Sequence, residues 1–151
     1  MRSRMQNPAA LLPGAMQGIQ QIMGATRQGD VPPAILDLVH LRVSQINGCS
    51  ACVAGGVTST RKAGATEDQL ATVVAWRDAP YFSDEERAAL ALAEAATRLA
   101  DRPDAVNDEI WDTAATYFDE KQLAAIVLTI ATTNLFNRLN ATTRQIAGAW
   151  G

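Results

Sequence analysis

Apolar residues recur along this chain at spacings of three and four, and strict apolar–polar alternation over strand lengths is hard to find. The pattern predicts an all-α fold of about seven or eight helices. A first helix is expected from Pro8 to Arg27, with Gln28-Gly29-Asp30 as its stop and Pro32-Pro33 as the restart. Pro33 suits the first turn of a second helix, because its missing N–H is one that a helix start leaves unpaired anyway. Leu36, Val39, Val43 and Ile46 form one apolar stripe on that helix, and Asn47-Gly48 breaks it. A third helix follows at once, from about Cys49 to Lys62, closed by Gly64.

Thr66-Glu67-Asp68-Gln69 and Ser83-Asp84-Glu85-Glu86 both match the capping box, in which a hydroxyl and a carboxylate or amide satisfy free N–H groups reciprocally. They are expected to open helices four and five. Helix five, near Asp84 to Leu99, is rich in Ala and Leu on most sides, which predicts burial in the centre or at a subunit contact. Asp101-Arg102-Pro103-Asp104 breaks the chain before a shorter helix through Trp111. The long segment from Glu120 to Arg138 has Leu123, Ile126, Val127 and Ile130 in phase, and its length and period favour helix over strand despite the β-branched content. Ala141 to Ala149 is expected to form a final short helix. Met16, Ile19 and Met23 share a face of the first helix and read as packing groups, while Trp76, Trp111 and Trp150 read as core or interface aromatics. No repeat, low-complexity linker or composition shift divides residues 1–151, so a single domain is expected.

With 151 residues, 48% hydrophobic and 19% charged, the chain has the composition of a packed globular protein. A formal net charge of -3 and the lack of a basic run speak against nucleic acid as a partner. Arg2 and Arg4 are followed by Met5-Gln6-Asn7-Pro8, without the apolar stretch of a signal peptide, and nothing approaches the length of a membrane helix. The cytosol is the expected location.

Two cysteines, Cys49 and Cys52, are the only ones in the chain, too few for the framework of a small secreted domain. Placed in the first turn of a helix, they gain partial positive charge that favours the thiolate, the form that attacks peroxides and disulfides. Their i,i+3 spacing puts both sulfurs on one face, within reach of an intramolecular disulfide. Structural zinc needs four ligands, and two cysteines with the single histidine do not make a set unless a carboxylate or another subunit contributes. Two buried small apolar residues would be the bland alternative. On the preceding helix, Asp37, His40, Ser44 and Asn47 form a polar stripe running toward the cysteines. Asp37 could polarise a water or a thiol, and His40 could relay the proton. A solvated helix face would give the same stripe, and that is the simpler reading of His40 alone. Asn134, Asn137 and Arg138, on the long apolar helix, read as groups that satisfy backbone carbonyls or a neighbouring subunit.

The run Asp37-Leu38-Val39-His40-Leu41-Arg42-Val43-Ser44-Gln45-Ile46-Asn47-Gly48-Cys49-Ser50-Ala51-Cys52 resembles the core of the carboxymuconolactone decarboxylase and alkylhydroperoxidase D-like superfamily. The likeness extends through Lys62-Ala63-Gly64, Ala75-Trp76-Arg77, the Glu85 to Leu99 helix and Asn134-Leu135-Phe136-Asn137-Arg138. It implies an all-helical fold assembled as a trimer or hexamer. It also implies that Cys52 attacks a hydroperoxide and Cys49 resolves it as a disulfide, with Asp37 in the place of the family's acidic residue, usually Glu. A thiol-bearing protein or small thiol would then reduce the disulfide, with no organic cofactor or metal. Where the family pattern has a relay histidine, four residues after the second cysteine, this chain has Gly56, preceded by Gly55. Two glycines inside a helix cost about 1 kcal/mol each relative to Ala. The missing side chain is expected either to leave room beside Cys52 for a bulky substrate or to let a neighbouring helix approach.

The leading expectation is therefore a homo-oligomeric thiol oxidoreductase that reduces hydroperoxides or exchanges disulfides. The alternatives are a non-catalytic or ligand-binding paralogue that has lost the relay at Gly56, and a cofactor-free lyase of the decarboxylase type. The decarboxylase branch does without the cysteine pair, so that pair argues against the lyase.

Overall fold

The computed structural model describes residues 1–149. Among them are eight α-helices and no strand: α1 (Pro8–Leu11), α2 (Ala15–Thr26), α3 (Pro33–Ile46), α4 (Ser50–Lys62), α5 (Glu67–Thr72), α6 (Asp84–Thr97), α7 (Asp108–Tyr117) and α8 (Glu120–Thr143). Both capping boxes form as the sequence predicts, Thr66 with Gln69 and Ser83 with Glu86. Asp119 with Gln122 makes a third at the start of α8, a signal present in the sequence but passed over.

Two helices differ from expectation. The single helix expected from Pro8 to Arg27 is cut after Leu11, because Gly14 takes φ +81°, a conformation that ends one helix and starts another at low cost only for glycine. The expected short helix from Ala141 to Ala149 does not form. Instead α8 continues to Thr143 and ends with Arg144 left-handed, where the Gln145 N–H bonds the Asn140 carbonyl and the Arg144 N–H that of Ala141. Residues 145–149 are non-helical, and Trp150 lies outside the described residues.

α3 runs through the middle. One side buries Val39 and Val43 against Leu92 of α6, Ala114 and Phe118 at the end of α7, and Ile126 and Ile130 of α8. The other side buries Leu38 and Leu41 against Val73, Trp76, Phe82 and Leu90. α6 is central, as its composition predicts, with Ala89, Leu90 and Ala93 fully buried. Trp76 is a core residue, but Trp111 and Met23 are 42% and 45% exposed, so the packing roles expected of them are not met within this chain.

Glu94 and Arg42, both buried, form an ion pair that Arg77 joins from the surface. The Glu94 carboxylate accepts from Arg42 Nε at 2.7 Å, Trp76 Nε1 at 3.1 Å and Arg77 Nη1, and Arg77 stacks over the Trp76 ring. Burial pushes the Glu94 carboxyl up, but the hydrogen bonds from Arg77, Arg42 and Trp76 outweigh it and hold it below the usual carboxylate range. Among the described residues, no helix is long and apolar enough to cross a membrane.

Candidate functional site

The site is built on the hairpin of α3 and α4. Gly48, at φ +65°, ends α3 by letting the Cys49 N–H reach the Ser44 carbonyl at 3.1 Å and the Gly48 N–H that of Gln45 at 3.2 Å. The same turn makes Cys49 the N-cap of α4, and the Cys52 backbone N–H donates to Cys49 Sγ at 3.3 Å. Such an N–H and the helix start both favour a negative sulfur. Cys49 and Cys52 are joined as a disulfide, with Cα atoms 5.3 Å apart, and both are buried. Their helix-start placement and pairing are those expected from spacing.

Because α3 and α4 run antiparallel, the polar stripe of α3 meets α4 in reverse order. Asp37 faces Ser59, and His40 lies against Gly56 and the Cys52 backbone. Burial pushes the Asp37 carboxyl up, against the opposing pull of His40, the Ser59 hydroxyl and Arg27. Burial pushes the His40 imidazole down, against the Cys52 carbonyl and the Asp37 carboxylate. The two shifts converge. His40 Nδ1 lies 3.2 Å from Thr133 Oγ1, whose own hydrogen goes to the Thr129 carbonyl at 2.7 Å. His40 is thus half-buried between α4 and α8.

Of the two expectations for Gly56, room beside Cys52 and the close approach of a neighbouring helix, the structure shows the second. A Cβ at position 56 would lie 3.1 Å from His40 Cδ2 and 3.3 Å from Leu41 Cδ1, so the glycine admits α3 at close range and the His40 ring fills the gap. Gly55, by contrast, is exposed and has nothing within 4 Å of a Cβ. Gly55→Ala is therefore expected to raise the stability of the protein by about 0.5–1 kcal/mol, read from urea unfolding. Gly56→Ala should fall short of that gain, since the helix propensity is offset by crowding of His40.

Ser44 and Asn47 do not reach the sulfurs through their side chains. Ser44 Oγ accepts from Asn137 Nδ2, and Asn47 Nδ2 donates to Asn134 and Asn137 at 2.9 Å each. Asn134 also accepts from Arg138. Asn134 and Asn137 hold α8 onto α3, and the expected backbone-carbonyl partners are Ile130 for Asn134 and Asn134 for the exposed Arg138, both within α8.

One residue touching a sulfur was missed. Asn140 Nδ2 donates to Cys52 Sγ at 3.3 Å, and Asn140 Oδ1 accepts from Asn7 Nδ2 at 2.8 Å. Asn7 Oδ1 in turn accepts the Ala9 N–H at 2.9 Å as the N-cap of α1. The available signal was the spacing of Asn134, Asn137 and Asn140, which puts a third amide on the same helix stripe. A cavity of about 290 Å³ opens beside the pair, lined by Gly48, Cys49, Ser50, Ala51, Asn140, Arg144 and Gln145 among others. Among the described residues, no three His, Cys, Asp or Glu side chains gather into a metal-binding set.

A model of the carboxymuconolactone decarboxylase family matches residues 13–95, a stretch that contains the cysteine pair, Asp37 and His40. The chain is 32% identical to the uncharacterized protein YdfG of Bacillus subtilis over 101 residues, 67% of each chain. It is 41% identical to the uncharacterized protein YnjA of Escherichia coli over 73 residues, which is 47% of this chain but only 39% of that protein. Among solved structures, a protein of unknown function from Agrobacterium tumefaciens, for which a role as the antioxidant defence protein AhpD has been suggested, superposes with a TM-score of 0.89. That match has 26% identity and covers 98% of this chain and 99% of the other. The debrominase Bmp8 has the same fold, with a TM-score of 0.79 and 20% identity over 91% of this chain and 73% of its own.

Proposed function

Because this chain belongs to the carboxymuconolactone decarboxylase family and carries a Cys-x-x-Cys disulfide at a helix start, we propose that it is a thiol-dependent oxidoreductase of the AhpD-like type. It reduces hydroperoxides, or exchanges disulfides, through Cys52 and Cys49. The observation that carries this reading is the disulfide itself, set at a helix start with hydrogen-bond donors on both sulfurs and a cavity at its edge.

In the forward reaction the Cys52 thiolate attacks the terminal oxygen of a hydroperoxide, breaking the O–O bond and leaving a sulfenic acid at Cys52. The departing alkoxide takes a proton and leaves as the alcohol. Cys49 then attacks the sulfenic sulfur, forming the disulfide and releasing water. Asp37 and His40 carry the protons, with His40 in the space that the family's relay histidine would occupy if position 56 bore one. Asp37, one methylene shorter than the Glu usual in the family, acts in this reading through His40, one turn along α3, and not on a sulfur directly.

The likeness to the debrominase, at 20% identity, supports the fold and no more. A homo-oligomer fits an apolar groove of about 400 Å³ between α1, α2 and α8, flanked by the exposed Leu12, Ile22 and Leu135.

The test is the intact mass of the reduced protein before and after brief exposure to one equivalent of cumene hydroperoxide. Loss of two hydrogens with a Cys49–Cys52 link is expected within seconds. Thiols that stay reduced would remove the peroxidase reading.

A further inference from the structure

Asn140, the residue of α8 that meets the Cys52 sulfur, has no part in the chemistry described so far. Each sulfur has an N–H donor, but of different kinds. At Cys49 it is the Cys52 backbone N–H, fixed by the helix, whereas at Cys52 it is a side-chain amide, which a half-turn would convert into an acceptor. A chain of hydrogen bonds behind Asn140 decides which end faces the sulfur. The Ala9 N–H can only donate, so the atom of Asn7 facing it is the oxygen, which leaves Asn7 Nδ2 as the donor to Asn140. Asn140 must then accept with Oδ1 and present Nδ2 to Cys52 Sγ.

The segment that carries Asn7 is tied to the end of α8 by two further bonds, from the Arg4 N–H to the Thr143 carbonyl at 2.9 Å and from Gln145 Nε2 to the Met5 carbonyl at 3.0 Å. Asn7, Asn140 and Cys52 are all buried, so water does not compete for the chain. None of the bonds behind Asn140 involves the link between the two sulfurs.

From this we infer that Asn140 is a catalytic residue of the peroxide step, its amide holding Cys52 as the thiolate, and that Asn7, 133 residues away, is the positioning residue that keeps the donor turned to the sulfur. The inference rests on the redox reading above and adds a group to it. A thiolate accepts a hydrogen bond more strongly than a thiol does, so a fixed N–H lowers the pKa of the sulfur it faces. In the step itself the Cys52 thiol gives up its proton, the thiolate takes the terminal oxygen of the hydroperoxide as the O–O bond breaks, and the alkoxide recovers one proton and leaves as the alcohol. The sulfur is oxidised to the sulfenic acid, the peroxide is reduced, and Asn140 gives up no proton.

The experiment measures the Cys52 pKa from the pH dependence of iodoacetamide alkylation, read by intact mass, in a Cys49→Ser background where a single thiol titrates. Asn7→Asp is the deciding variant. It keeps the shape and the cap of α1, because an Asp oxygen accepts the Ala9 N–H as an Asn oxygen does, but its carboxylate has no hydrogen to give Asn140. The Asn140 amide should then turn its N–H to the new carboxylate and its oxygen to Cys52, raising the Cys52 pKa by at least about 1, a tenfold loss of thiolate at a fixed pH. Asn140→Leu, or Asn140→Ala should the leucine not fold, is expected to raise it as well, and in that background Asn7→Asp should add less than about 0.3. A Cys52 pKa unchanged in Asn7→Asp or in the Asn140 variant overturns the inference. So does an Asn7→Asp shift that persists in full without Asn140, which would be the direct effect of a charge. The wild type, with both cysteines, is exposed to cumene hydroperoxide in parallel. Disulfide formation there with unshifted variant pKa values leaves the redox reading standing without Asn140, and no oxidation at all removes the redox reading and this inference with it.

Discussion

Replacing Cys52 with Ser is expected to abolish hydroperoxide turnover, to the uncatalysed rate, while leaving the helical circular dichroism and the unfolding midpoint close to wild type. The alcohol that replaces the thiol is not ionised at neutral pH and cannot serve as the attacking group. Serine is close to cysteine in size, and its oxygen can accept the Asn140 N–H that now meets Cys52 Sγ. Replacing Cys49 with Ser should have a different signature. Cys52 would still be oxidised once, but no resolving thiol would follow, so the product should be a single-turnover sulfenic acid that continues to sulfinic acid in excess peroxide. Mass spectrometry after peroxide distinguishes the two variants by zero against one or two added oxygens. Continued turnover by the Cys52→Ser variant would rule out Cys52 as the attacking thiol.

The largest effect on stability is expected at Glu94. Its carboxylate is the common acceptor of Arg42, Trp76 and Arg77, with the Glu94 side chain 7% and the Arg42 side chain 11% exposed. Glu94→Leu would leave the buried Arg42 charge with no counter-charge among its buried neighbours and only the neutral Gln45 amide at 3.4 Å, and breaking such a pair by removing one member costs about 3–5 kcal/mol. Glu94→Gln should lose less, since an amide oxygen can still accept from Arg42 or Trp76. The same cluster predicts a pH dependence. The folded Glu94 carboxyl lies below its unfolded value, so its contribution is fully present above the unfolded pKa, about 4.3 for a free Glu, and is lost as pH falls through the folded value. Urea unfolding between pH 3 and 7 should show wild-type stability falling at the acid end. The Glu94→Gln variant should lack that part of the slope, and parallel curves for the two would show that Glu94 does not carry it.

The sequence by itself determined the features that depend on near neighbours. Helix period, the capping boxes at Thr66 and Ser83, the start at Pro33 and the break at Gly48 all arise from interactions within a few residues, so a local pattern records them. The placement of Cys49 and Cys52 in the first turn of a helix belongs to the same class, as does their disulfide, because only three residues separate them. Even the misplaced boundaries were local matters, with Gly14 free to end a helix and α8 able to run on past Arg138.

What joins distant parts of the chain was decided only in three dimensions. Asn140 meets Cys52 across 88 residues and Asn7 across 133, and an asparagine carries no mark in sequence of which partner it will find. Gly56 illustrates the point from the other side. As a sequence feature it reads equally as a vacancy or a place of close approach, and the packing of α3 resolves this by filling the space with His40 and Leu41. Glu94 reads as one polar position on an Ala-rich helix until Arg42, Trp76 and Arg77 surround it. In each case the deciding quantity is a distance between residues that the chain's local periodicity does not constrain, and only burial against a partner gives the side chain its role.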